Sequence, residues 1–335
     1  MTHLFHLKDT PPQKIRSGGF RIDGNADQFP VLSKLALSLL ELHPKAFREP
    51  HWHPNANELS YCVDGVGIMT IFGPGNTHDT FTIARGDIVF VPKGSLHHIE
   101  NIGDGPLQLL ICFDNERPED LELTSLVETM PAHILGATFH QKPEFFQTLQ
   151  HAKAENFIRM RLEASKPTLG MLTNRYKFNL EAHLPQLANE GGWVKMSNNF
   201  LFHALDGLAI YSLVLKAGGA REPHWHPNAA ELNYLLQGAA RITLVSPNGD
   251  VETFDMKVGD MSFMPQGYLH HIENLGKEDA RFAIFFNHEA PSDIGASGCM
   301  GAYSNGLLST MFGVADNYFT KMPKFQQDLF IVSRD

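Results

Sequence analysis

His51-Trp52-His53 sets two imidazoles one residue apart, and His224-Trp225-His226 repeats the arrangement. On a strand, residues i and i+2 point to one face. Each pair therefore converges on a point, and Trp52 and Trp225 face away into packing. A turn, Pro54-Asn55-Ala56-Asn57, follows the first pair, and Glu58 stands on the next strand with its carboxylate toward the same interior. A third imidazole, His97, arrives after Pro92 and Gly94, residues that set a strand's direction. Three imidazoles and one carboxylate suit a six-coordinate first-row metal with two open positions, for a bidentate substrate or for substrate plus dioxygen. A closed zinc site would use cysteine more often. The second half offers His224, His226, Glu231 and His270. The neighbouring His98 and His271 point away from such a centre. Eight of the 18 histidines fall in four tight pairs, a clustering that favours metal over scattered surface imidazoles.

The elements that must position these ligands are written twice. Arg48-Glu49-Pro50-His51-Trp52-His53-Pro54-Asn55-Ala56 recurs as Arg221-Glu222-Pro223-His224-Trp225-His226-Pro227-Asn228-Ala229, at an offset of 173 residues. The same offset maps Glu58 to Glu231, Gly65 to Gly238, Gly86 to Gly259 and His97 to His270. It also maps Phe139, Phe146 and Phe157 onto Phe312, Phe319 and Phe330. Short apolar or alternating runs such as Leu35–Leu42, Ile68–Phe72, Leu107–Phe113, Ile210–Leu215 and Phe282–Phe286 read as closely spaced strands. More helical stretches close each half, at Glu119–Leu149 and Gly301–Lys321. The expected architecture is all-β: two tandem units, each a sandwich or barrel followed by short α-helices. The expected domains are residues 1–158 and 190–335. A polar connector at 159–189 carries Pro167 and Pro185, with an added strand in Arg175–Leu180. Phe325–Val332 is expected to return to a barrel edge, as its mate near Phe157 would. Asn101 and Asn274 are expected to tie down backbone, and Cys62 to pack in the core.

The chain has 335 residues, 43% apolar and 19% charged, a globular composition. Its 27 basic and 37 acidic residues leave a net charge of −10, which argues against nucleic acid. No apolar run has the length of a membrane span. The N-terminal stretch lacks the pattern of a signal peptide. Three scattered cysteines, Cys62, Cys112 and Cys299, fit a reducing cytoplasm. The expected location is therefore cytoplasmic, with no membrane partner.

The pattern Gly-x5-His-x-His-x4-Glu-x6-Gly, then Gly-x5-Pro-x-Gly-x2-His-x3-Asn, resembles the two-part signature of cupins. The second half matches it throughout, from Gly218 to Asn274; in the first half Lys45 takes the place of the opening Gly. Two such units resemble a bicupin, with double-stranded β-helix (jelly-roll) barrels. The Arg-Glu-x-His-Trp-His-Pro-Asn stretch is similar to the bicupin oxalate decarboxylases. That resemblance implies manganese in each domain, with dioxygen as cofactor, and conversion of oxalate to formate and carbon dioxide. Iron accepts the same ligand set. It also implies substrate binding by Arg48 and Arg221, three residues before the first His; the alternative is an ion pair with Glu49 or Glu222. A small dicarboxylate fits one open-position metal and one guanidinium. A proton must also reach the product. The family's Ser-Glu-Asn-Ser lid is absent here, where Phe113–Asp120 is shorter. Glu116, whose repeat mate is Glu289, is the expected donor, with Glu119 the alternative. The rival readings are an oxalate oxidase, another bicupin dioxygenase, or a metal-binding bicupin without turnover. Resemblance to cupins also implies a homo-oligomer.

Overall fold

A computed structural model describes residues 2–149, 157–163, 174–315 and 317–334. Pro167 lies outside the described residues. The chain divides into two compact units. One comprises Leu7–Ala182 with Phe202–Leu208; the other comprises Met1–His6, His183–Leu201 and Ala209–Asp335.

Nine principal strands build the first unit: β1 (Gly19–Gly24), β2 (Ala36–Leu42), β3 (Ala46–Trp52), β4 (Glu58–Asp64), β5 (Val66–Gly73), β6 (Thr77–Ala84), β7 (Asp87–Val91), β8 (His97–Asn101) and β9 (Leu107–Phe113). One antiparallel sheet runs Lys177–Asn179, β7, β4, β9, β2, β1, Lys14–Arg16. The other runs Leu121–Glu122, β3, β8, β5, β6, with Ile158–Met160 also on β3. The strand expected within Arg175–Leu180 is thus present and pairs with β7. Apolar side chains of both sheets meet in one core, including Leu40, Leu109 and Ile111 from the first and Met69, Ile71 and Ile99 from the second. Each such side chain contributes roughly 1.5–3 kcal/mol on full burial. Two packed antiparallel sheets are what the short strands predict, and their jelly-roll form is what the resemblance to cupins implies.

The second unit repeats the design with β10 (Gly192–Ser197), β11 (Ala209–Leu215), β12 (Gly219–Trp225), β13 (Glu231–Gln237), β14 (Ala239–Val245), β15 (Val251–Lys257), β16 (Met261–Met264), β17 (Leu269–Asn274) and β18 (Ala280–Phe286). Its sheets run Leu4–Phe5, β16, β13, β18, β11, β10, Leu187–Asn189, and β15, β14, β17, β12, Ile294–Gly295. The N-terminal pair Leu4–Phe5 therefore extends a sheet of the second unit. The sequence pattern held no sign of this, because two residues carry no periodicity. Ile331–Ser333 returns to β12 as expected.

One irregularity positions the site. On β3, Arg48 pairs with Ile99 and His51 with His97, so three steps on β3 match two on β8. The extra residue is a bulge at Glu49-Pro50. In a regular strand, residues three apart face opposite sides; the bulge turns Arg48 and His51 into the same interior. Pro50 cannot donate to the ladder, which suits it to this position. Pro223 sits at the same shift between Arg221 and His224. The turn before β3 puts Lys45 at φ 68°, and Gly218 takes φ 75° at the matching turn. Lys45 thus keeps the backbone path the glycine would give, at some conformational cost.

Short helices follow each barrel, at Leu123–Thr129, Ala132–Phe139 and Pro143–Leu149, and at Ala296–Ala302 and Asn305–Phe312. Their apolar spacing is not a core stripe: Leu135 is buried, but Leu126 and Ile134 are exposed, and Leu121 lies on the strand that pairs with β3. No described helix is long and apolar enough to cross a membrane.

Asn101 is fully engaged. Its amide donates to Leu42 O and Gly105 O (both 2.8 Å) and its carbonyl accepts from Gly103 N (2.9 Å). Asn274 repeats these bonds in the second unit. Asn101→Ala would strand buried backbone groups, and we expect a loss of about 2–3 kcal/mol, read as a lower denaturant midpoint. An unchanged midpoint would show that water satisfies those groups.

Candidate metal centres

In the first unit β3 delivers His51, the residue after it delivers His53, β4 begins with Glu58 and β8 begins with His97. One ligand atom from each lies within 4.8 Å of the others, and all four residues are buried. His224, His226, Glu231 and His270 form the same group in the second unit. Glu58 Oε2 is 3.0 Å from His53 Nε2 and 3.2 Å from His97 Nε2. Glu231 Oε2 is 2.8 Å from His226 Nε2 and 3.4 Å from His270 Nε2.

The ring tautomers follow from the far side of each imidazole. Nδ1 of His51, His53 and His97 faces the carbonyls of Glu49, Glu119 and Ser95 at 2.8, 2.9 and 3.0 Å. A carbonyl only accepts, so each Nδ1 carries hydrogen and each Nε2 turns inward. His224, His226 and His270 repeat this toward the carbonyls of Glu222, Ser292 and Tyr268. The outer oxygens are also held: Ser60 Oγ donates to Glu58 Oε1, and Asn233 Nδ2 to Glu231 Oε1, each at 2.7 Å. Fixing ligands from behind in this way is typical of metal sites.

A divalent cation fits this donor set. His97 Nε2 and His270 Nε2 are buried inside the groups and make no hydrogen bond. Burial pushes His51 and His224 well below the usual imidazole range, with Arg48 and Arg221 respectively adding repulsion, so these rings stay neutral. Burial would lower His53 too, but hydrogen bonds to Asp120 and Glu58 lift it to about 9. Burial would raise Glu58, yet His97 and His53 hold it well below the carboxylate range. At neutral pH the metal-free first group thus carries a proton on His53 that a cation must displace. Metal binding there should release about one proton at pH 7, and affinity should rise about tenfold per pH unit between pH 7 and 8. Titration calorimetry in buffers of different ionisation enthalpy checks this; buffer-independent heats would contradict it.

Around each group the structure sorts the other expected residues. Arg48 and Arg221 are buried and line the cavities with the ligands. Burial pushes the Arg48 guanidinium down to about 10 against the opposing pull of Asp120. Neither arginine takes its adjacent glutamate as partner. Arg48 Nη2 is 3.3 Å from Glu122 Oε1 and 3.5 Å from Asp120 Oδ1. Arg221 Nη2 pairs with Asp293. Glu49 instead accepts from Thr124 Oγ1, Phe157 N and Arg159 Nε.

The structure does not bring Glu116 to the cavity. Its carboxylate accepts from Lys34 N at 2.9 Å, its carbonyl accepts from Ala26 N, and it is absent from the cavity lining. Glu119 is exposed and contributes only its carbonyl, to His53. The acids at the site are Asp120 and Glu122. Repeat symmetry was the signal for Asp120, because its mate is Asp293, which is also acidic. Cys62 packs in the core as expected, and burial pushes its thiol up to about 12. His98 bonds Glu100 away from the centre.

The cupin family model matches residues 5–146 and again 178–318. The chain belongs to the cupin family. Several relatives align along most of this cupin chain. Oxalate decarboxylase OxdC of Bacillus subtilis (strain 168) is 27% identical over 297 residues, spanning 87% of the chain and 76% of the relative. An oxalate decarboxylase of Arthroderma benhamiae is 29% identical over 341 residues, spanning 92% and 80%. A probable germin-like protein of Arabidopsis thaliana is 30% identical over 132 residues, spanning 38% of the chain and 61% of the relative, as one domain would. A structure of B. subtilis oxalate decarboxylase, described for its Mn(II) centres, superposes with a TM-score of 0.89 at 23% identity. It covers all of this chain and 89% of its own. The bicupin fold is thereby shown, with one His3Glu group in each cupin unit.

Proposed function

We propose that this bicupin is a manganese-dependent oxalate decarboxylase, with His51, His53, Glu58 and His97 holding one ion and His224, His226, Glu231 and His270 the other. The observation that carries this is the buried His3Glu group with an arginine turned into the same cavity by the bulge at Pro50. Relatives named oxalate decarboxylase, aligned over most of the chain, favour this reading over an oxidase, another dioxygenase or a binding protein.

Oxalate and one proton must become formate and carbon dioxide. The bound metal, with dioxygen, would supply the one-electron chemistry that weakens the carbon–carbon bond. Arg48 holds a substrate carboxylate by charge-assisted hydrogen bonds, strengthened by burial. In the second unit Arg221 has that role. The cavity walls, including Ile99, Ile111 and Phe113, exclude water. Glu122 replaces Glu116 as the proton carrier: it touches Arg48 and lies opposite His51 in strand pairing. The second unit has Gly295 at that position.

The remaining expectations stand as proposals. The exposed apolar residues of the helices, such as Met130, Ile134 and Phe139, support association with further copies of the chain. Three free cysteines support a reducing, cytoplasmic setting.

The test is a product assay on manganese-loaded protein in aerated, mildly acidic buffer. Formate in excess of peroxide is expected, and Glu122→Gln should lose formate while still binding oxalate. Peroxide without formate would make the protein an oxidase, and neither product would remove oxalate as substrate.

A further inference from the structure

The two units share a ligand set but differ in the cations that line their cavities. Arg21, on β1, lines the first cavity together with Arg48. Its repeat mate, Val194, lines the second. The difference extends to the groups that hold Arg21. Asp23 Oδ1 lies 2.7 Å from Arg21 Nε and accepts from Ser38 Oγ at 2.7 Å. At the matching positions the second unit has Met196 and Tyr211. A guanidinium largely withdrawn from water is costly without such a partner, so the pair Arg21–Asp23 is a built feature of the first unit.

Arg21 and Arg48 also stack on one ring. Their guanidinium carbons lie 4.6 and 3.8 Å from the centroid of Phe157. A single carboxylate joins them: Asp120 Oδ2 accepts from Arg21 Nη1 at 2.8 Å, while Oδ1 stands 3.5 Å from Arg48 Nη2 and 3.2 Å from His53 Nδ1. The structure thus displays what these two guanidiniums hold, a carboxylate. It leaves little else: free space in the cavity is about 10 Å³, on the order of one water. A substrate carboxylate held by both guanidiniums would take the place that Asp120 occupies. Asp120 sits on the connection between β9 and the helix Leu123–Thr129, which is the kind of segment able to yield.

We propose that Arg21 is a specificity-determining residue. With Arg48 it forms a two-guanidinium clamp for one carboxylate of the substrate, and Asp120 fills that clamp in the substrate-free protein. The first cavity thereby selects a dianion that reaches from clamp to metal. The second cavity, with Arg221 as its one lining guanidinium, holds the dianion less tightly. This inference rests on the dicarboxylate reading above.

The experiment is calorimetric titration of oxalate, and separately acetate, into the full chain loaded with manganese. The variants are Arg21→Gln, Arg21→Gln/Asp23→Asn and Asp120→Asn. Circular dichroism and metal content are read on each. At one of the two sites, both Arg21 variants should bind oxalate at least about tenfold more weakly, with acetate affinity changed far less. The double variant leaves no buried aspartate unpaired and so guards against a folding failure of the single one. Asp120→Asn should bind oxalate about tenfold more tightly, because the internal competitor is weakened. Folded, metal-loaded Arg21 variants with wild-type oxalate affinity would overturn the clamp while leaving the proposed function intact. If neither Arg21 variant folds, unchanged or weaker oxalate binding by Asp120→Asn overturns it. Wild-type protein that binds no oxalate would fail the dicarboxylate reading itself.

Discussion

Glu58→Gln is expected to lower the manganese content of the purified chain from two ions to one. Glu58 is the sole anionic ligand of its group, and its Oε2 lies within 3.2 Å of two inward imidazole nitrogens. An amide keeps the shape and removes the charge. Loss of a partner behind a ligand typically costs about 10–100-fold in metal affinity, so loss of an anionic ligand should cost more than about 100-fold. The second group is built from residues of its own unit and should keep its ion. Glu231→Gln should give the reverse pattern. Metal analysis after dialysis, with the Mn(II) resonance signal to count distinct centres, checks both variants. Two ions retained in Glu58→Gln would remove this residue from the ligand set.

Arg48→Lys is expected to reduce kcat/KM for oxalate by about 30–1000-fold while leaving both metals bound. The reason is geometric. Lysine keeps a positive charge near Asp120 and Glu122, so the buried carboxylates remain countered. It loses the planar fork that meets a carboxylate with two parallel hydrogen bonds, and it loses the stacking on Phe157. Truncating one partner of a buried, hydrogen-bonded charge pair costs about 2–5 kcal/mol. The lysine variant should fall in the lower part of that range. Steady-state kinetics alongside metal analysis separates this from a folding or loading defect. A variant with wild-type kcat/KM and two metals would make Arg48 a structural residue.

Asp120 links these results. It approaches His53 of the His3Glu group, Arg48 and Arg21. The corresponding Asp293 pairs with Arg221 and stands 3.6 Å from His226 Nδ1. An acidic residue from the connection after the barrel therefore reaches each centre, in a stretch that lacks the lid sequence of the family it resembles.

The two His3Glu groups were legible from the sequence because their placement is local. The i, i+2 spacing of His51 and His53 sets both on one face whatever the rest of the chain does. The 173-residue repeat then showed that the whole set recurs, which chance pairing of histidines would not produce. The all-β class and the backbone role of Asn101 followed from equally local signals, and the two-unit organisation from the repeat. The residues of the proposed clamp and the proposed proton carrier did not. Arg21 meets Asp120 across 99 residues of chain, and Arg48 meets Glu122 across 74. Pairings of that range depend on sheet order and on which loop folds over which barrel end. Glu116 and Asp120 differ by four residues in a stretch without periodicity, so spacing could not choose between them. The bulge at Glu49-Pro50 is likewise a matter of register between two strands. Composition and spacing determined the all-β class and the two His3Glu groups; tertiary packing alone decided which charges surround them, because those contacts exist only once the barrel closes.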